Sequence, residues 1–188
     1  MNYLRALPGA SIAAATIAAA GACAAAFLFL DAIDAAFGTA LAAAALFIAA
    51  VDLDRFEVPD IATLTMFVLG LAWTQARGPD LEAVAHAVVR SIVVAGVLFG
   101  LRAGYRAVRN FEGLGLGDVK LAGAGAVWLP FPEIAITFLI AIGAAFAVVL
   151  GRSLVTGERI QAHAALPFGT FLAPAIWISW FAQVSGSF

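Results

Sequence analysis

Cysteine, histidine and charge are all scarce in this chain. Its 188 residues hold one cysteine, Cys23, and two histidines, so neither a disulfide framework nor a Cys/His metal cluster is expected. No metal site and no cofactor are assigned. Ten basic residues against twelve acidic ones give a net charge of -2 and a pI of about 5.6. Basic residues scattered at that balance leave no electrostatic footprint for nucleic acid, which is set aside as a partner. Gly-x-Ser-x-Gly and His-Glu-x-x-His are both missing, which removes the common serine-hydrolase and zinc-peptidase templates. Charged residues make up only 12%, about half the ~25% usual in soluble domains.

What the chain has instead is apolar surface. Hydrophobic residues reach 64%, against about 45–50% in soluble domains, and the mean hydropathy is +1.03. A soluble fold of this length could not hide so much, so the bilayer is expected to be its solvent. A transmembrane helix needs ~20 mainly apolar residues, fewer where flanking charges snorkel. On that rule seven spans are read, at roughly 9–30, 35–51, 61–76, 83–101, 119–130, 134–151 and 166–184. The expected fold is an all-α polytopic membrane bundle of about seven transmembrane helices, forming one membrane-embedded domain over residues 1–188. Eleven of the 22 residues from 9 to 30 are alanine and Arg5 precedes them, a pattern also compatible with a cleaved signal peptide. No polar mature region follows, so a retained helix is expected.

Lys and Arg in alternate loops set the orientation. With the N-terminus inside, Arg5, Arg55, Arg102, Arg106, Arg109, Lys120, Arg152 and Arg159 are cytoplasmic and Arg77 alone is outside. Trp73, Trp128, Trp177 and Trp180 then fall in the outer parts of their helices, where amphipathic rings favour the interface. The two long inner loops, 52–60 and 102–118, are where chemistry is expected.

Those loops hold the informative carboxylates. Asp52, Asp54, Glu57 and Asp60 follow the second span, and Asp118 opens the fifth. Asp118 closes the run Gly113-Leu114-Gly115-Leu116-Gly117-Asp118, followed by Val119-Lys120. Three alternate glycines cost backbone entropy that an idle loop would not bear, so something is expected to approach that backbone closely. A carboxylate at a helix N-terminus is also favoured by the dipole and free N–H groups, and a glycine turn with an Asp cap has the same sequence. Should Asp52 and Asp118 meet at the membrane face, two partly desolvated carboxylates could not both ionise easily, and one would keep its proton near neutral pH. The ionised member can take a proton from water while the protonated member hydrogen-bonds a scissile carbonyl.

These residues resemble the prepilin peptidases, membrane aspartic proteases of the GxGD type. The segment Asp52-Leu53-Asp54-Arg55-Phe56-Glu57-Val58-Pro59-Asp60 is similar to the family's first catalytic block. Glu112 to Leu121 is similar to its glycine-rich block, and Leu166-Pro167-Phe168-Gly169-Thr170-Phe171-Leu172-Ala173 to its late Pro-Phe-Gly segment, with Thr170 where a second proline is usual. The resemblance covers roughly residues 35 to 184. It implies Asp52 and Asp118 as the catalytic pair, and a six-helix catalytic core preceded here by one extra helix. It also implies cleavage of the basic leader of type IV pilin-like or pseudopilin precursors, after a glycine, at the inner face of a bacterial or archaeal cytoplasmic membrane. Many members carry two Cys-x-x-Cys pairs and N-methylate the new terminus; with Cys23 alone, methylation is not expected.

Other residues receive blander readings. Gly113, Gly115, Gly117 and Lys120 are assigned to positioning. Pro59 and Asp60 are read as a helix start, with Asp60 capping the third span. Glu57 and Glu112, with Asp54 and Asp60, are expected to attract a basic leader. Arg90, inside the fourth span, is expected to snorkel or pair, with His86 one turn away. His163 is expected to be solvated. Three alternatives stay open: a small transporter, a Mg²⁺-dependent transferase using Asp52 and Asp54, and a presenilin-like GxGD protease. The acids gather at one face rather than along a pore, and neither Tyr-Asp nor Pro-Ala-Leu occurs.

Overall fold

In the computed structural model, residues 20–22, 24–109, 113–157 and 166–186 are described. Among them seven helices run in chain order: α1 (Ala20–Phe29), α2 (Ala32–Arg55), α3 (Asp60–Arg77), α4 (Leu81–Arg109), α5 (Leu116–Gly125), α6 (Phe131–Thr156) and α7 (Gly169–Val184). They answer the seven predicted spans one for one, although residues 9–19 of the first lie outside the described residues, as do Arg5, Cys23, Glu112, Arg159 and His163. The protein is an all-α helical membrane protein. By length and composition α2, α4 and α6 can each cross a bilayer.

The fifth span departs from a crossing helix. At ten residues, ~15 Å at 1.5 Å each, α5 is half the length a bilayer requires. It lies at the centre instead, packed against α3, α4 and α7, with Val119 and Leu121 to Leu129 buried. Around it α2 pairs with α3 and α7, and α6 packs on α7. A helix that ends inside such a bundle leaves carbonyls without intrahelical partners, and these are costly away from water. Arg90 of α4 supplies the missing donors: its Nε and a terminal nitrogen donate to the carbonyls of Ala126 and Val127, each at 3.3 Å. The expected pairing of Arg90 is therefore with a broken helix end. His86 is exposed on α4.

The tryptophan expectation is overturned for three of the four rings. Trp73, Trp128 and Trp180 are buried and pack on one another, with ring centroids 5.5 to 5.7 Å apart, Trp73 stacked on Trp128 and Trp180 edge-on to both. They are core residues at the end of the bundle away from Asp52, so they do not report on an interface. Large rings fit there because small residues face them: a Cβ on Gly70 would stand 2.8 Å from the Trp128 indole nitrogen. The Trp128 nitrogen donates to the Met66 carbonyl at 3.0 Å.

Beside this cluster is a buried acid that the sequence did not flag. Asp34 is 1% exposed and accepts from Trp73 Nε1 at 2.7 Å and from the Arg77 guanidinium. Arg77 also reaches Asp31, the N-cap of α2, at 3.6 Å. The network ties the start of α2 to the end of α3.

Helix limits also shift. α4 continues through Arg109, where a loop from residue 102 was expected, because hydropathy marks where a helix leaves lipid and not where it ends. We expect Arg77→Met to strand the buried Asp34 charge and cost about 1–3 kcal/mol of stability. Thermal unfolding in detergent checks this, and an unchanged midpoint refutes it.

Candidate active site

Three helix ends build the site. α2 ends at Arg55, and its C-cap Phe56 takes a left-handed conformation (φ 56°) and donates its N–H to the Asp52 carbonyl at 2.8 Å. A bulky residue at positive φ is strained, and strain of this kind persists where surrounding contacts over-determine it. The turn sends the chain back as Val58, which seats between two glycines. A Cβ on Gly117 would lie 2.9 Å from Val58 Cβ, and one on Gly169 would lie 2.9 Å from Val58 Cγ2. The close approach expected at the glycine run is thus real, and Val58 is what approaches.

The rest of that run is held from α4. Gly113 lies against the Tyr105 ring, and Arg102 Nε donates to the Leu114 carbonyl at 3.0 Å. Gly115 is the N-cap of α5 and offers no side chain; Asp118, three residues on, turns back so that its Oδ2 would stand 3.0 Å from a Cβ there. Its carboxylate thus folds back over the start of its own helix, near the Gly115 amide, in the manner of a capping-box acid.

The third end is the start of α7, whose first N–H groups have no intrahelical acceptor. Thr170 N–H donates to Asp52 Oδ2 at 2.7 Å, and Thr170 Oγ1 lies 3.1 Å from the same oxygen and 3.2 Å from the Ala49 carbonyl. The Gly169 amide lies beside both carboxylates. Sixty-six positions apart in sequence, the two acids line one cleft, and the Asp52 charge acts on Asp118. Asp52 is 4% exposed. Asp118, in the first turn of α5 and outside the long apolar helices, has its pKa pushed up to about 6, first by burial and then by the Asp52 charge, against the pull of the Gly115 and Gly169 amides. Two acids so held can divide the work of a proton acceptor and a proton donor.

The pair opens into a cleft of about 640 Å³ whose walls include Phe56, Glu57, Pro59 and Lys120. Pro59 is the N-cap of α3, at the predicted boundary, but Asp60 does not cap it. Asp60 is the first helical residue, and its carboxylate takes Lys120 Nζ at 2.7 Å, joining the two Asp blocks across the cleft. Both partners are exposed, so this is a weak positioning contact. Glu57 and Asp54 are exposed beside the cleft. Gly169 and Thr170 belong to the late Pro-Phe-Gly motif, which by itself assigns them no role. The signal that could have found them is a glycine opening a helix after a proline, where free N–H groups attract an acid.

A family model described as the type IV leader peptidase family matches residues 39–150. The chain belongs to the type IV leader peptidase family. It is an enzyme, a peptidase of the aspartic type. The leader peptidase HopD of Escherichia coli is 37% identical over 133 residues, covering 69% of this chain and 82% of HopD. A prepilin leader peptidase/N-methyltransferase of Burkholderia pseudomallei is 34% identical over 139 residues, and one of Aeromonas hydrophila 30% over 131. The chain spans 43% of the length of each of these two. No solved structure matches it.

Gly169→Ala places a methyl group 3.0 Å from Asp52 Oδ2 and 3.1 Å from its carboxyl carbon. We expect peptidase activity to fall by about 100-fold while membrane insertion is retained, since misplacing a reacting group by a fraction of an ångström to 1 Å is that costly. A peptide-cleavage assay on purified protein checks it, and wild-type rates refute it.

Proposed function

We propose that this protein removes the basic leader from type IV pilin-like or pseudopilin precursors by aspartic hydrolysis, with Asp52 and Asp118 activating one water. The observation that carries the reading is two acids from separate helices lining one open cleft, close enough for the Asp52 charge to act on Asp118. One acid, ionised, takes a proton from water. Its neighbour, protonated, hydrogen-bonds the scissile carbonyl oxygen, and a tetrahedral intermediate forms without a covalent enzyme adduct. The names of the curated relatives supply the substrate class.

The bond cut follows a glycine, ahead of the substrate's apolar helix, and the site faces the cytoplasm of a bacterial or archaeal inner membrane with the N-terminus inside. Support for this orientation is the excess of Lys and Arg on that side. With Asp60 engaged by Lys120, the acids left to attract a basic leader are Glu57, Asp54 and Glu112, the last outside the described residues. Methyl transfer is not proposed.

Geometry weighs against the rival readings. Residues two apart on a helix do not face each other, and Asp52 is buried while Asp54 is exposed, so the two do not form a Mg²⁺ chelate. Asp52 and Asp118 meet at one end of the bundle rather than along a path through it, which disfavours transport.

Co-expression with a pilin-like precursor tests the reading. Asp52→Asn and Asp118→Asn should each reduce processing by about 10³-fold or more without affecting insertion; full processing by either overturns it. The reaction also needs a neutral Asp118 at the pair. Since that group releases its proton at about 6, kcat/KM should fall with rising pH above that value, approaching tenfold per unit. A flat profile from pH 5 to 8 contradicts the shared-proton scheme.

A further inference from the structure

The two acids are not held alike. Asp118 lies beside the Gly115 and Gly169 backbone amides. Asp52 also lies beside the Gly169 amide and is bonded by Thr170, whose N–H donates to Oδ2 at 2.7 Å and whose hydroxyl proton is shared between that oxygen at 3.1 Å and the Ala49 carbonyl at 3.2 Å. A carboxylate accepts such bonds best when it is ionised, and each donor on the charged form holds it there. Oδ2 is thereby committed to α7, and only Oδ1 is left for other partners.

The groups facing the pair from every packed element do not reverse this asymmetry. Arg55 lies one turn on from Asp52 in α2, Glu57 is in the connection, and Asp60 is paired with Lys120 across the cleft. From α7 come only the neutral donors Gly169 and Thr170, and α4 contributes Arg102, which is bonded to the Leu114 carbonyl.

We propose that Thr170 is a positioning residue that fixes Asp52 as the ionised, proton-accepting member of the pair and so leaves Asp118 to carry the proton. Thr170 reaches neither water nor substrate in this scheme; it acts through Asp52. The inference rests on the aspartic-peptidase reading and gives a structural cause for the division of labour in which Asp118 is the neutral acid. The backbone N–H makes the shorter bond, and this chain has it because residue 170 is not the proline usual at that position.

The test compares wild type with Thr170→Val, Thr170→Ser and Thr170→Pro in detergent, on a pilin-like precursor and by ¹³C NMR of labelled aspartate carboxyls, with Asp52 assigned through Asp52→Asn. Thr170→Val should lower kcat about tenfold, leave KM unchanged, and move the acid limb of kcat/KM upward by about one pH unit, with the Asp52 carboxyl resonance titrating correspondingly later. Thr170→Ser, which keeps both donors, should restore the wild-type profile, and Thr170→Pro, which deletes both, should go beyond Val. A Val variant that loses rate with its acid limb in place, or that matches wild type throughout, overturns the proposal. If the proline variant does not insert, the Val and Ser pair decides. The NMR titration needs no substrate: a wild type that fails to cleave the precursor sinks the functional reading, whereas an Asp52 titration unmoved by Thr170→Val sinks this inference alone.

Discussion

Two carboxylates on separate helices repel each other, and a partly dry site sharpens the repulsion. They stay together only when donors are supplied from outside the pair. Here the donors are the first amides of α7, which a helix leaves open by construction. Thr170 donates to Asp52, and the Gly169 amide lies beside both acids. Much of the bundle can be understood as holding that helix start in place. Trp177 of α7 donates to the Gly38 carbonyl of α2 at 2.9 Å, Trp180 packs against Gly38, and the tryptophan cluster fixes the far end of the same helix.

The small residues at the site follow from the same crowding. Val58 needs Gly117 on one side and Gly169 on the other, and Asp118 needs Gly115 beneath it. Each glycine is bound to a named neighbour, so the motif records a packing problem as much as a chemical one. The strained Phe56 belongs to this account, since its turn delivers Val58 to the glycines within three residues of the end of α2.

Composition and hydropathy made the number of helices legible, because lipid demands apolar length whatever the tertiary arrangement. The Asp52 and Asp118 blocks could also be read, since acids beside entropically costly glycines are conspicuous. What sequence could not convey is direction. Trp73 and Trp180 sit near the ends of their helices and Trp128 just past the end of α5, and nothing in a one-dimensional pattern says whether a ring turns outward to headgroups or inward to its fellows. Asp34 was overlooked for the same reason: its partner Arg77 is 43 positions away. Asp60 looked like a cap because local rules favour local partners, whereas Lys120 was 60 positions off. Gly169 and Thr170 act through backbone N–H groups, which every non-proline residue has and no composition reveals. Arg90 illustrates the inverse case: intramembrane charge is an expected sign of function, and here it closes the end of a helix too short to cross.

Because the Thr170 donors of Asp52 sit at the start of the final described helix, a small slide of α7 along its axis would loosen that acid without touching either aspartate.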